Sequence, residues 1–315
     1  MSVFLFIAVT IIMLSLIFLG PRVKVTTNLK RYEVPDDIGK LDQYLKNQEE
    51  KIPEIIVNTE KNIHWYNQEK KKTKSAIIYI HGFSASRQDI APVVDNVAKC
   101  LKANIYYCRL KGHGIKNPDA LKEPTVNDWI NDVYEGYEIA RRIGDRTIII
   151  ASSTGSPLAL WLYQKFHDIA SIVLLSPNFK PANWSSQLLL LPYGKLLARL
   201  FIGKYEVCDI MNDQHGKYWT RKFHSEAYVT MMGICKLMKK IKMKQISIPV
   251  LFLYSPKDKL ISIPMMLKVY NQINSKDKKI TGIDSPYHVI AGDIVSPETT
   301  EIVTKTIKEF LEKYV

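Results

Sequence analysis

One serine in this chain has the surroundings of a nucleophile. Residues 148–156 read IIIASSTGS, an apolar run that passes directly into Ser152-Ser153-Thr154-Gly155 and then into a helical pattern. A serine exposed on so sharp a strand-to-helix bend needs small residues two before and two after it, in the general form G-x-S-x-G. Ser153 meets that spacing with Ala151 before it and Gly155 after it, whereas Ser152 would have Thr154 two residues on. Ala151 departs from the first glycine by a single methyl, the smallest addition there is. A hydroxyl stays inert at neutral pH until a neighbouring base takes its proton, so a histidine and a group to orient it must come from elsewhere.

Both occur late in the chain. Asp258 follows the apolar run PVLFLY in the loop SPKDK, and His288 follows KITGI in the loop SPYH. The order is therefore Ser153, Asp258, His288, each just past the carboxyl end of an expected strand. Asp284 and Asp293 are rival acids, but both sit on the loop of the histidine itself. A tetrahedral intermediate also needs two donors for its oxyanion. His81-Gly82-Phe83 follows the run AIIYI, where the Phe83 N–H supplies one, and Thr154, next after the nucleophile, supplies the other. Gly82 lets that loop approach a substrate closely, and His81 reads as the group that orients it. His113, between Gly112 and Gly114, reads as loop packing.

These residues require a particular frame. Apolar strands at 76–80, 104–108, 147–150 and 171–175 alternate with helical spacing at 88–101, 126–142 and 157–166. Thr125 with Asp128 makes a variant capping box that opens the second of these helices. Continuous apolar strands alternating with helices indicate a mostly parallel sheet covered on both faces. The rhythm stops over about 177–246, where 188–191, 196–201 and 228–243 look helical and carry many Leu and Met. That stretch reads as a helical cap inserted between two sheet strands, its apolar runs packing the cap, lining an acyl groove or facing a bilayer. Strand and helix order resumes with 249–254, 264–273, 279–283 and a closing helix from 297. Asp132 and Glu135 fall on the helix at 126–142 and read as solvent-facing.

The quoted pieces IIYIHGFSAS, CRLKGHGI, DWINDVYEGYEIA, IIIASSTGS, VLFLYSPKDKLIS and SPYHVIAGD together resemble the serine α/β-hydrolases. The resemblance is close to the group of monoacylglycerol lipases, lysophospholipases and bacterial carboxylesterases. The resemblance spans 76–315 and is weakest in the cap. It implies the α/β-hydrolase fold and hydrolysis of a carboxylic ester through an acyl-enzyme: Ser153 attacks, His288 relays the proton and Asp258 orients the imidazole. It implies no cofactor and no metal. His64, His167, His215 and His224 have no ligand spacing and HExxH is absent. Asp119 is six residues past His113, so the H-x4-D pattern of membrane acyltransferases is absent too.

Residues 3–19, VFLFIAVTIIMLSLIFL, carry no charge. As a helix they would reach roughly 26 Å, adequate for a hydrocarbon core. Only Met1 and Ser2 precede them and no A-x-A-like exit follows, which favours an uncleaved single-pass anchor over a signal peptide. Arg22, Lys24, Lys30 and Arg31 beyond the helix put the body on the cytoplasmic side by the positive-inside rule. The expected organisation is an anchor at 1–21, a mixed-charge connector at 22–60 with a short helix near 40–50, and a hydrolase domain at 61–315.

Lys and Arg number 44 against 31 Asp and Glu, giving +13, and that excess is spread along the chain. It suits acidic membrane surfaces; without an arginine-rich arm or finger spacing, nucleic acid is not an expected partner. Four cysteines without a CxxC pair exclude a zinc ribbon or disulfide framework and read as reduced thiols. The anchor, the basic surface and the apolar cap favour lipid-like acyl esters such as lysophospholipids or monoacylglycerols. The alternatives are a small-molecule carboxylesterase, an acyltransferase or thioesterase, and a non-catalytic anchored binding protein. A serine at the bend excludes epoxide hydrolase or dehalogenase chemistry, which needs a carboxylate there.

Overall fold

The computed structural model describes residues 2–314, the side chains of Ser2, Val3, Ile12, Leu14, Leu16, Ile17 and Phe18 excepted. The strands are β1 (Asn62–His64), β2 (Thr73–Ile80), β3 (Asn104–Tyr107), β4 (Gly144–Ser152), β5 (Ile169–Leu175), β6 (Tyr205–Val207), β7 (Lys222–His224), β8 (Val250–Tyr254) and β9 (Lys278–Gly282). Among the described residues seven of them form one sheet in the order β1-β3-β2-β4-β5-β8-β9. β1 runs antiparallel to β3, and every other pairing is parallel. The helices are α1 (Ser2–Leu19), α2 (Leu41–Glu49), α3 (Val93–Leu101), α4 (Val126–Ile143), α5 (Gly155–Lys165), α6 (Gly194–Phe201), α7 (Asp213–Tyr218), α8 (Ala227–Leu237), α9 (Ile263–Gln272) and α10 (Pro297–Leu311).

The pleat divides the core. In β2, Ala76, Ile78 and Ile80 pack with α4, α5 and α9 on one face, while Ile77 and Tyr79 pack with α3 and α10 on the other. Successive side chains of a strand point to opposite faces, so a strand covered on both sides must be apolar throughout. Thr125 caps α4 with the expected box, its hydroxyl accepting from the Asp128 N–H while the Asp128 carboxylate accepts from the Thr125 N–H. The helix expected from 88 begins only at Val93, because Pro92 has no N–H to give and its ring would crowd the preceding turn.

Two expectations are corrected. Asp132 and Glu135 do not face solvent. Glu135 is buried and accepts from Tyr44 Oη and Gln48 Nε2, with Lys61 Nζ at 2.6 Å; Asp132 is half-buried and accepts the Lys111 N–H at 2.7 Å. The second concerns the cap, which is not wholly helical. It holds the antiparallel pair β6 and β7 with α7 between them, strands too short for any periodicity to register. The helix expected over 228–243 ends at Leu237, and 3₁₀ turns then swing Ile241 and Met243 back into the main core.

The segment at 22–60 is strapped down. The side-chain oxygens of Asn127 and Asn131 on α4 accept the N–H groups of Asn28 and Lys30, and Asn131 donates back to the Asn28 carbonyl. Leu41 and Leu45 of α2 join the core. At the end of α2, Glu49 grips buried Arg109 through Nε and Nη2, both at 2.7 Å, and Arg109 Nη1 reaches the His113 carbonyl. Just past the end of α1, the Tyr193 N–H donates to the Pro21 carbonyl at 2.7 Å. The apolar run at 3–19 lies in part outside the described residues, and among those described no helix is long and apolar enough to cross a membrane.

The Glu49–Arg109 pair should stabilise measurably. Glu49→Ala leaves a guanidinium buried without its carboxylate, an expected loss of about 3 kcal/mol in urea unfolding. An effect no larger than that of a surface substitution would show the strap to be dispensable.

Candidate functional site

The loops at the carboxyl edge of the sheet converge on Ser153. Its φ is +48°, in the left-handed region, a local cost that places its hydroxyl at the tip of the bend. The bend is held by the Ser153 N–H donating to the Leu175 carbonyl, and by the Ser153 carbonyl accepting from Ser156 and Asn178. A Cβ at Gly155 would come within 2.5 Å of the Ile80 carbonyl oxygen and 3.0 Å of that of His81, so only glycine fits there. Ala151 fits in the sheet, buried and in register between Ile80 and Leu174.

His288 stands between the two other residues singled out in the sequence. Its Nε2 lies 2.8 Å from Ser153 Oγ and its Nδ1 lies 2.6 Å from Asp258 Oδ2. The Asp258 side chain is fully enclosed, and its other oxygen accepts the N–H groups of Leu260 and Ile261. Burial pushes its carboxyl upward, yet the His288 contact and these two donors outweigh that and hold it below the usual carboxylate range. The Ser176 hydroxyl donates to the His288 carbonyl at 2.6 Å and fixes the loop. The rival acids do not take this place: Asp284 pairs with Lys257 at the surface, and Asp293 is exposed.

The N–H groups of Phe83 and Thr154 have no acceptor among the described residues, and both residues border the same cavity as Ser153 and His288. Thr154 caps α5, so its N–H sits at the positive end of a helix dipole. The cavity measures about 710 Å³ and is walled by Phe83, Leu189, Ile202, Phe223, Tyr228 and Met231. Among the described residues no group of His, Cys, Asp and Glu could hold a metal, and all four cysteines are free. Two buried residues at this edge escaped the sequence reading, Asp89 and Asn178. Neither belongs to a periodic pattern or a recognisable spacing, and only the folded chain brings them beside the bend.

His81 locks its loop. Its Nε2 accepts the Leu110 N–H at 3.1 Å, which leaves the proton on Nδ1 to be donated to the Gly82 carbonyl at 2.8 Å. The His113 ring packs at a tilt against those of His81 and Trp129. Burial lowers His81 from its ordinary 6.5 to about 4. The folded state therefore binds fewer protons than the unfolded state between these values. Stability from this group is complete above 6.5 and is lost as pH falls toward 4. His81 alone should remove about 2 kcal/mol between pH 7 and pH 5. Unfolding of wild type and His81→Gln at the two pH values checks this; equal pH slopes would refute it.

A family profile described as "Serine aminopeptidase, S33" (Hydrolase_4) matches residues 71–294. The chain is 25% identical over 232 residues to a thermostable monoacylglycerol lipase of a Bacillus species, spanning 71% of this chain and 87% of that one. It is 22% identical over 244 residues to a carboxylesterase of Bacillus subtilis, spanning 76% and 92% of the two chains. The solved structure of a metagenome-derived lipolytic enzyme superposes with a TM-score of 0.68 at 17% identity, over 82% of this chain and all of that one, a likeness of fold. Since the profile takes in well over half of the chain, and the relatives on this fold are lipases and esterases, the chain belongs to the Hydrolase_4 family and is a serine α/β-hydrolase of the ester-cleaving, lipase and esterase type.

Proposed function

We propose that the protein hydrolyses lipid-like carboxylic esters, monoacylglycerols or lysophospholipids, through an acyl-enzyme on Ser153. The observation that carries this reading is the unbroken run of contacts from Ser153 Oγ through His288 to Asp258, opening onto a largely apolar cavity. As Ser153 Oγ attacks the ester carbonyl carbon, His288 Nε2 takes its proton and the Nδ1–H remains bonded to the Asp258 carboxylate, which balances the imidazolium. The carbonyl oxygen becomes an oxyanion and accepts from the Phe83 and Thr154 N–H groups. His288 then gives its proton to the departing alcohol oxygen. In the second half a water repeats the attack on the acyl carbon and Ser153 recovers its proton. Beyond the apolar walls, support for a lipid substrate comes from the relative named as a monoacylglycerol lipase.

The same reading sets α1 in a bilayer with the body on the cytoplasmic side. Support comes from its exposed Phe4, Leu5, Phe6 and Leu19, and from Arg22, Lys24, Lys30 and Arg31 beyond it. The junction of Pro21 with Tyr193 puts the end of α1 at the start of α6, where Leu196, Leu200 and Phe201 are exposed beside Lys195 and Arg199. An apolar ridge flanked by cations suits an acidic lipid surface.

A fluorophosphonate probe should label wild type and spare Ser153→Ala, and His288→Ala should lower kcat about ten-thousand-fold or more. Equal labelling of Ser153→Ala removes the mechanism. A preference for acetate esters over long-chain monoacylglycerols removes the lipid assignment alone. In membranes the full chain should resist alkaline carbonate extraction while a chain lacking residues 1–19 is released. Extraction of the full chain would dismiss the anchor.

A further inference from the structure

Asp89 is a carboxylate 1% exposed, in the loop between β2 and α3, and the chemistry above makes no use of it. Its Oδ2 accepts the Gly82 N–H at 3.2 Å and its Oδ1 accepts the Tyr79 hydroxyl. Both of these donors are neutral, and so are the nearby Ile90 N–H and Ser152 hydroxyl that also favour the carboxylate. It also borders the cavity that holds Ser153. A buried carboxylate held only by neutral donors is a costly feature for a fold to keep, and its position next to Gly82 shows what it does.

Gly82 is the one residue between His81 and the Phe83 donor, and it cannot restrain itself. A Cβ there would lie a tight 3.2 Å from Ser153 Cβ, and glycine at this position brings wide backbone freedom. The direction of the Phe83 N–H is set by the peptide plane it shares with the Gly82 carbonyl. His81 Nδ1 holds that carbonyl, and Asp89 Oδ2 holds the Gly82 N–H in the preceding plane. The two bonds clamp both torsions of Gly82.

We propose that Asp89 is a positioning residue for the oxyanion site: with His81 it clamps Gly82, so that the Phe83 N–H already faces the place where negative charge develops. The inference rests on the acyl-enzyme reading given above. Burial also raises the Asp89 carboxyl to about 6, opposed by the donors from Tyr79, Gly82, Ile90 and Ser152. A group in that state works as an acceptor for the loop whether or not it bears a full charge. A preset donor costs no reorganisation at the moment of reaction, which is where such sites gain their effect.

Steady-state hydrolysis of a p-nitrophenyl ester, inhibition by a trifluoromethyl ketone, and thermal unfolding should be measured on wild type, Asp89→Ala and Asp89→Asn. In Asp89→Ala kcat should fall on the order of tenfold to a hundredfold with KM within about twofold. Affinity for the ketone, whose serine adduct carries the oxyanion, should fall by the same factor as kcat/KM. Asp89→Asn should regain most of both, since a carboxamide oxygen can accept the Gly82 N–H while its NH₂ donates to Tyr79 Oη. If Asp89→Ala does not fold, Tyr79→Phe frees the same carboxylate, and a lower kcat at unchanged KM supports the assignment. An active wild type with indifferent Asp89 and Tyr79 variants, or Asn no better than Ala, overturns the inference alone. A wild type that neither cleaves esters nor takes the ketone overturns the acyl-enzyme reading beneath it.

Discussion

The close approach of Gly155 to the carbonyls that end β2 is the constraint on which the site depends. It presses the turn carrying Ser153 against the loop carrying Gly82 and Phe83. Ser153 and Phe83 thus belong to one packed unit, although about seventy residues separate them in sequence. Any side chain at 155 would push the start of α5 away from the end of β2. The left-handed φ at Ser153 is tolerable because its N–H donates to Leu175 and its carbonyl accepts from Ser156 and Asn178, which holds the turn. Strain at a reactive position survives only where its surroundings over-determine it.

The histidine and carboxylate depend on the same edge. Parallel strands β8 and β9 end level with β4, which lets short loops bring Asp258 and His288 within reach of the serine. Enclosure of Asp258 strengthens its hold on the imidazole, since its contact with His288 is shielded from water. The cap completes the site with apolar walls from Leu189, Phe223 and Met231, and Phe83 packs its ring against Phe223 and Tyr228. The loop that carries Phe83 is therefore also the floor of the cap.

The sheet, its flanking helices and the three converging residues were legible because each rests on a local pattern. Apolar runs mark strands buried on both faces, and the small residues around Ser153 mark a bend. What escaped the sequence reading lacked such a pattern. β1, β6 and β7 are three residues each, too brief for alternation. Glu135 and Asp132 sit at positions that helical spacing assigns to the outside, yet the 22–60 segment covers that flank of α4, as no periodicity could announce. Asp89 was invisible for a related reason: its partners are a tyrosine hydroxyl and a glycine N–H, and neither leaves a signature in the chain.

The strap also has a mechanical effect. With Asn28 and Lys30 bonded to α4, Leu41 and Leu45 sunk in the core, and Pro21 joined to the cap, little slack is left between α1 and the body. Such a mounting transmits orientation as well as position. Whatever grips the first helix also sets the tilt of the cavity mouth, so the enzyme would meet its surroundings at one fixed attitude instead of swinging like a float on a line.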